Sequence, residues 1–499
     1  MNSTFIKLLI LVVLGGYTLY SCSNSKTSTS TTTAAASGAE EAVVTASATV
    51  ALADGPLEKA RVNYTSYCSG CHGEKAVTFA DRRWKFGNTD ADIFKSIKFG
   101  HPEAGMPAFQ EAFTDQQIEG LVAYIRQGIT SVQEYSFEKR ESLPAIFHSE
   151  ELSFRLETVA TGLGVPWGMA FLPDGDMLIT SRAGTLHRST PGKALQQVSG
   201  SPDVLAEGQG GLMDVALDPD FKQNNLVYLS YSAFKKEDGN TVSTTAVMRA
   251  RLQGNQLTNQ KVIFEALPYS RTRHHYGSRL AFDKNGYLYI SVGERGNHDE
   301  NPQDLTRYPG KIHRIKPDGS IPADNPFVNQ AGAVGSIFTY GHRNPQGMAF
   351  NPKSGELWAN EHGPRGGDEV NIIRKGNNYG WVITSYGINY NGKPMTDKTT
   401  APGITDPIYY WVPSIAPSGM AFVTGNRYKG WEGDVLVGSL RFQFLSRCKV
   451  EDDKITGEEK LLTGIGRVRD VRMGPDDYLY VAVENGNVYK IVPVDAVSN

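Results

Sequence analysis

Cysteine is scarce in this chain: four residues in 499. So low a count excludes a disulfide framework and leaves each thiol to be explained separately. Positive charge is not in excess either, with 50 Lys and Arg against 53 Asp and Glu for a net charge of -3, so the broad basic face that nucleic acid requires is missing. The apolar run near the start, residues 8–14, is too short to cross a bilayer comfortably. What is present is a length that implies two or three domains, 40% hydrophobic residues, 52 glycines and 23 tyrosines. That composition suits strands and turns better than a helical bundle.

The opening "MNSTFIKLLILVVLGGYTLYSC" places Lys7 before the apolar run and small residues after it, the layout of an export signal. Leu19, Tyr20, Ser21 and Cys22 resemble a bacterial lipobox, which implies a signal peptide over 1–22, lipidation of Cys22, and a chain anchored on the periplasmic or cell-surface side of a bacterial membrane without spanning it. Residues 23–52 are Ser/Thr/Ala-rich and too poor in large apolar groups to pack, so they read as a disordered tether.

Residues 53–132 carry helical spacing. In "TDQQIEGLVAYIRQG" Thr114 is a plausible N-cap, and Ile118, Leu121, Val122 and Ile125 fall on one face. Within this small all-α segment stands "CSGCHGE". C-x-x-C-H is the attachment signal of c-type haem: Cys68 and Cys71 form thioethers and His72 ligates the iron. A thioredoxin-like dithiol needs a βαβ setting and a zinc site needs a second ligand pair, and neither accompanies it. The segment resembles the small class I cytochromes c, which implies Met106 in "GHPEAGMPAF" as the second axial ligand, with His101 as its rival. His/Met ligation raises the reduction potential, as suits an electron acceptor.

After a connector at 133–151 the pattern changes. One phrase recurs six times over 152–496: "PWGMAFLPDGDMLITS", "GLMDVALDPDFKQNNLVYLSY", "SRLAFDKNGYLYISVGE", "PQGMAFNPKSGELWANE", "PSGMAFVTGNRYKGWEGDVLVGS" and "VRDVRMGPDDYLYVAVE". Each reads as a strand, a turn rich in Asp, Gly, Pro or Asn, and an alternating strand. Recurrence at roughly 45 to 70 residues predicts an all-β, six-bladed β-propeller whose loops converge at one end of a central channel.

Charged groups concentrate in "EGQGGLMD", "RTRHHYGSRL", "GHRNPQGMAF", "NEHGPRGGDE", "KGNNYGW" and "GRVRDVRMGP". By themselves they suggest an anionic ligand near a cation. In these runs the propeller resembles the soluble glucose and aldose sugar dehydrogenases that depend on pyrroloquinoline quinone (PQQ) and calcium. The resemblance implies oxidation of an aldose at C1 to the lactone, with electrons passing to the haem and on to a respiratory acceptor. It implies His275 as the base, with His342 and His362 ranked below it, and Gln209 at the quinone and substrate pocket. Arg343 and Asn344 then lie over the quinone carbonyl end, Arg467 and Arg469 beside the cofactor carboxylates, and the carbonyls of Gly363 and Pro364 on the PQQ-bound calcium. Glu369 and Tyr379 match a second, structural calcium position.

Two positions depart from the family pattern. Arg441 stands where relatives have a lysine at the cofactor, and His274 stands before the base where the glucose dehydrogenases have an acid. Another sugar-derived aldehyde such as sorbosone, or an alcohol, is an alternative substrate. A non-catalytic carbohydrate-binding propeller carrying a cytochrome is the alternative of a different class.

Overall fold

The computed structural model describes residues 56–72, 86–87, 89–130, 143–364, 366–387, 395–396, 398–412 and 414–494. The expected signal, Cys22, the tether and most of the connector lie outside them. Ala53–Asn499 forms one compact unit.

Its first part is helical: α1 (Pro56–Tyr67), α2 (Ser69–His72), α3 (Asp90–Phe99) and α4 (Asp115–Thr130). Thr114 caps α4 through a reciprocal pair: its N–H donates to Gln117 Oε1 at 2.9 Å, and its Oγ1 accepts from the Gln117 N–H at 3.3 Å. The expected stripe Ile118, Leu121, Val122 and Ile125 is buried against Tyr64, Ile93, Ile97, Phe109 and Phe113.

The rest is six antiparallel sheets, the six blades expected from the repeats. The innermost strands are Pro166–Phe171, Leu212–Leu217, Leu280–Phe282, Pro345–Phe350, Pro417–Phe422 and Val468–Met473. The ring closes where Ser153–Ala160 pairs with Asn487–Val494, so the first long strand of the domain completes the last blade. Phe147–His148 adds a further outer strand to that sheet, pairing with Phe154 and Ser153. The propeller therefore begins at Phe147 and not at Leu152, and Glu150 and Glu151 belong to it too, held by Lys449 and Arg447.

Close approach of the inner strands explains the glycine in each "P-x-G-M-A-F". A methyl carbon on Gly168 would lie 2.5 Å from Asp214 Oδ1, and one on Gly419 would lie 2.2 Å from Asp470 Oδ1. Those two carboxylates meet two guanidiniums inside the ring. Arg279 Nη1 lies 3.2 Å from Asp214 Oδ1 and 3.0 Å from Asp470 Oδ1, and Arg472 reaches the same pair at 2.9 and 3.0 Å. Asp214 also accepts the Leu280 N–H and Asp470 the Met169 N–H, so the charges are matched and the blades are stitched at the axis.

Candidate active site

In every blade the innermost strand starts, and the second strand ends, on the same face of the ring. Pro345 pairs with Glu361, Pro166 with Ser181 and Val468 with Val483. Gln209, His275, Arg343 and Arg467 each lie just before an innermost strand, while Gly363, Pro364 and Arg441 follow second strands. The propeller topology thus brings residues from five blades to one end of the channel.

His275 is buried, with its backbone in the left-handed region at φ 55°. A non-glycine residue is held there only when its surroundings over-determine it. Here its N–H donates to Gln209 Oε1 at 2.7 Å. Its carbonyl lies so near Gly293 that a methyl carbon there would sit 2.2 Å from the oxygen. Its Nδ1 is hydrogen-bonded to Glu294 Oε1. Burial, followed by the nearby Arg343 charge, holds the imidazole well below its usual pKa, so the ring is neutral at pH 7. With Nδ1–H given to the carboxylate, Nε2 is the basic nitrogen.

The other two candidate bases are structural. His342 is buried with both nitrogens engaged, Nδ1 with Glu361 Oε1 at 2.8 Å and Nε2 with Thr339 Oγ1 at 2.9 Å. His362 Nε2 donates to the Pro417 carbonyl at 2.7 Å.

Arg343, Arg441, Arg467 and Arg469 come from loops and strand ends at this end of the channel. The Arg343 Nη1 donates to the Gly363 carbonyl at 2.7 Å, and the guanidinium lies 5.3 Å from the Trp381 ring. Asn344 Oδ1 accepts the Gly277 N–H at 3.0 Å, while its Nδ2 is buried with no hydrogen-bond partner among the described residues. Such an orphaned donor fits a ligand carbonyl. Arg467 and Arg469 share Glu484, at 2.6 and 2.5 Å, so the two side chains do lie together. Burial alone would raise the Glu484 carboxyl, but Arg469 and Arg467 outweigh it and bring it down to about 2. Two guanidiniums on one carboxylate leave a positive balance suited to a polycarboxylate. Arg441 lies alongside, its backbone N–H on the Ile415 carbonyl and the carbonyl of the preceding Leu440 accepting from Arg467.

For a cation, Gly363 and Pro364 are buried, and Asp368 fastens their loop by accepting the Gly363 N–H at 2.8 Å together with Ser414 Oγ and the Ala416 N–H. Carbonyls of a loop fixed in this way suit a hard ion, and an ion there would share the Gly363 carbonyl with Arg343 Nη1 or displace it. The half-buried Glu369 shares Asn371 Nδ2 with Glu361, and burial followed by the Glu361 charge raises its carboxyl well above the usual range. Two carboxylates crowded together fit an ion between them. The Tyr379 hydroxyl is committed to the Ile372 carbonyl and the Arg374 N–H, so only its carbonyl could serve as a ligand.

In the helical part, His72 follows Cys68 by one turn, its N–H on the Cys68 carbonyl at 2.9 Å. Cys68 and Met106 both pack against the apolar cluster of α1, α3 and α4, and burial lowers the His72 pKa. A thioether and a thiol facing one apolar core, with a neutral imidazole beside it, fit a haem. His101 is otherwise engaged: Nε2 meets Ser96 Oγ at 2.9 Å and the ring stacks on Phe86 at 3.5 Å. The backbone of Cys71 lies in α2; its side chain is outside the described residues.

Four acids escaped the sequence reading: Glu294, Glu361, Asp368 and Glu484. Three of them close repeat phrases, "YISVGE", "LWANE" and "YVAVE", and each sits where a second strand ends on the site face. That recurrence was the available signal.

Residues 163–490 match the profile of the family described as Glucose / Sorbosone dehydrogenase, and residues 55–125 match the one described as Cytochrome C oxidase, cbb3-type, subunit III. The chain is 45% identical over 347 residues to aldose sugar dehydrogenase YliI of Escherichia coli, covering 68% of this chain and 92% of that one. Among solved structures it is similar to the soluble aldose sugar dehydrogenase of Escherichia coli in the apo-form, at 43% identity and a TM-score of 0.65 over 68% of this chain and 100% of the other. It is also similar to the PQQ-bound form of the aldose sugar dehydrogenase from Streptomyces coelicolor, at 30% identity and a TM-score of 0.57 over 71% and 100%.

Proposed function

Because this chain belongs to the Glucose / Sorbosone dehydrogenase family and carries a cytochrome c domain ahead of its propeller, we propose that it oxidises an aldose at C1 to the lactone and delivers the electrons through its own haem to a respiratory acceptor. The observation that carries this reading is the His275–Glu294 pair: a buried, neutral imidazole, one nitrogen held by a carboxylate, at the cationic end of the channel.

His275 Nε2 takes the proton of the anomeric hydroxyl, and Glu294 holds the ring in the tautomer and orientation that this requires. PQQ, when bound, supplies the hydride acceptor, and haem, when bound, supplies the one-electron acceptor. Arg343 and Asn344 place a charge and an amide donor where negative charge develops. Arg467, Arg469 and Arg441 would hold carboxylates, and the Gly363 and Pro364 carbonyls would hold calcium, with Glu369 and the Tyr379 carbonyl serving a second ion. Gln209 fixes the base through its backbone. Lipid at Cys22 would keep the enzyme on the membrane surface beside its acceptor.

The test is visible absorbance of the oxidised protein on mixing with aldoses. Growth of the reduced-haem α band that requires both PQQ with calcium and sugar supports the reading. A haem that dithionite reduces and no aldose reduces counts against it.

A further inference from the structure

The loop carrying Met106 lies against the propeller beside the candidate base. It is a tight turn: the His101 N–H donates to the Met106 carbonyl at 2.8 Å and the Met106 N–H to the His101 carbonyl at 3.1 Å, with Gly105 at φ 83° between them. A methyl carbon on Gly105 would lie 3.0 Å from His274 Nδ1 and 3.5 Å from His274 Cβ. The same imidazole is shut in from the propeller side by Gly296, where a methyl carbon would sit 2.7 Å from His274 Nε2. Two glycines thus form a slot about one ring thick. The His274 ring stands edge-on to His275, with centroids 4.5 Å apart and planes at 88°. His274 Nδ1 is buried and makes no hydrogen bond among the described residues.

We propose that His274 is the docking contact by which the cytochrome domain meets the sugar-oxidising site, and that Gly105 is small so that the loop bearing the methionine ligand can close on it. The inference rests on the dehydrogenase reading above. From a reduced quinone held beside His275, the route would run past the His274 ring to Gly105 and Met106, and electron tunnelling falls steeply with every ångström added to such a path. Each sugar oxidised yields two electrons and two protons. The electrons cross singly to ferric haem, which an external one-electron acceptor reoxidises between transfers, and the protons leave to solvent. The His275 side chain is 11% exposed with the loop in place. Burial, followed by the neighbouring His275, brings the His274 pKa down to about 3, so this ring is uncharged at pH 7.

Two variants of the full-length protein test this. The 3.5 Å separation of Cβ positions falls at the near edge of the roughly 3.5–4.5 Å range for disulfides, so Gly105→Cys combined with His274→Cys should give an intrachain disulfide on mild oxidation, with or without PQQ, detected by peptide mapping. Gly105→Leu in the loaded enzyme should lose the fast phase of sugar-driven haem reduction in stopped flow, while dye reduction by sugar, the haem spectrum and its midpoint potential match the parent. Absence of the disulfide, or a fast phase unchanged in Gly105→Leu, overturns the docking contact. If Gly105→Leu alters the haem spectrum, the disulfide decides. If the parent reduces neither dye nor haem with sugar, the dehydrogenase reading fails, and the disulfide still reports on docking.

Discussion

Glu294 and His275 are hydrogen-bonded to each other in a pocket where the carboxylate side chain is 2% exposed and the imidazole 11%. On the function proposed above, His275 is the base and Glu294 its positioning residue. His275→Ala should abolish sugar-driven reduction of both haem and dye while the dithionite-reduced haem spectrum stays that of the parent. Glu294→Gln should lower kcat by roughly a hundredfold or more with a much smaller change in KM, since the ring loses its tautomer and orientation. Unchanged turnover in Glu294→Gln would remove it from the mechanism.

The pH profile follows from the direction of the His275 shift. Its pKa is depressed by burial and Arg343, so the neutral, proton-accepting form persists to a pH below the ordinary imidazole range and is lost only beneath that. The acid limb of kcat/KM should therefore lie below the ordinary imidazole range, and a limb at the ordinary imidazole value would contradict a buried base.

Glu484 couples stability to pH. Its folded-state pKa of about 2 lies below the unfolded value, so its contribution is present in full above about pH 4.5 and fades as pH falls through 2. A shift of this size corresponds to about 3 kcal/mol. Glu484→Gln should show that deficit in urea unfolding at pH 7, and the gap to the parent should narrow steadily on acidification. A gap independent of pH would sink the assignment.

The haem ligand is separable from its rival. Met106→His should lower the haem midpoint potential, because replacing thioether by imidazole favours the ferric state. His101→Ala should leave the spectrum and potential as they are, since that ring is spent on Ser96 and Phe86. The reverse pattern in potentiometric titration would exchange the two roles.

The charge quartet at the channel axis is structural. Arg279→Met leaves Asp214 and Asp470, both fully buried, with Arg472 alone. Loss of one partner from a buried ionic cluster costs about 3–5 kcal/mol, to be read as a lower midpoint in denaturant with an unchanged slope.

Much of this was legible in the chain. C-x-x-C-H, the stripe Ile118, Leu121, Val122 and Ile125, and the sixfold strand–turn–strand phrase are local patterns whose physics acts within a few residues, and the helical domain and six blades followed from them. The loops expected to carry the site do converge. The edge of the propeller was misplaced because Phe147–His148 is too short to show a period, and only its pairing with Phe154 and Ser153 makes it a strand. The closing glutamates were overlooked because an acid after a strand looks like ordinary surface charge until the ring turns it inward.

Short-range pattern was enough for the two folds, the C-x-x-C-H motif and the set of polar residues available for chemistry, because periodicity, turn residues and motif spacing act within a few residues. Which partners meet depended on closure of the ring. Folding put Glu294 on His275, Glu361 on His342 and Glu484 on two arginines, and it spent both ring nitrogens of His342 while the His275 Nε2 makes no hydrogen bond among the described residues. It also laid Gly105 over His274. These pairings join residues far apart in the chain, and they exist because closure of six twisted sheets brings the same end of every inner strand to one channel mouth.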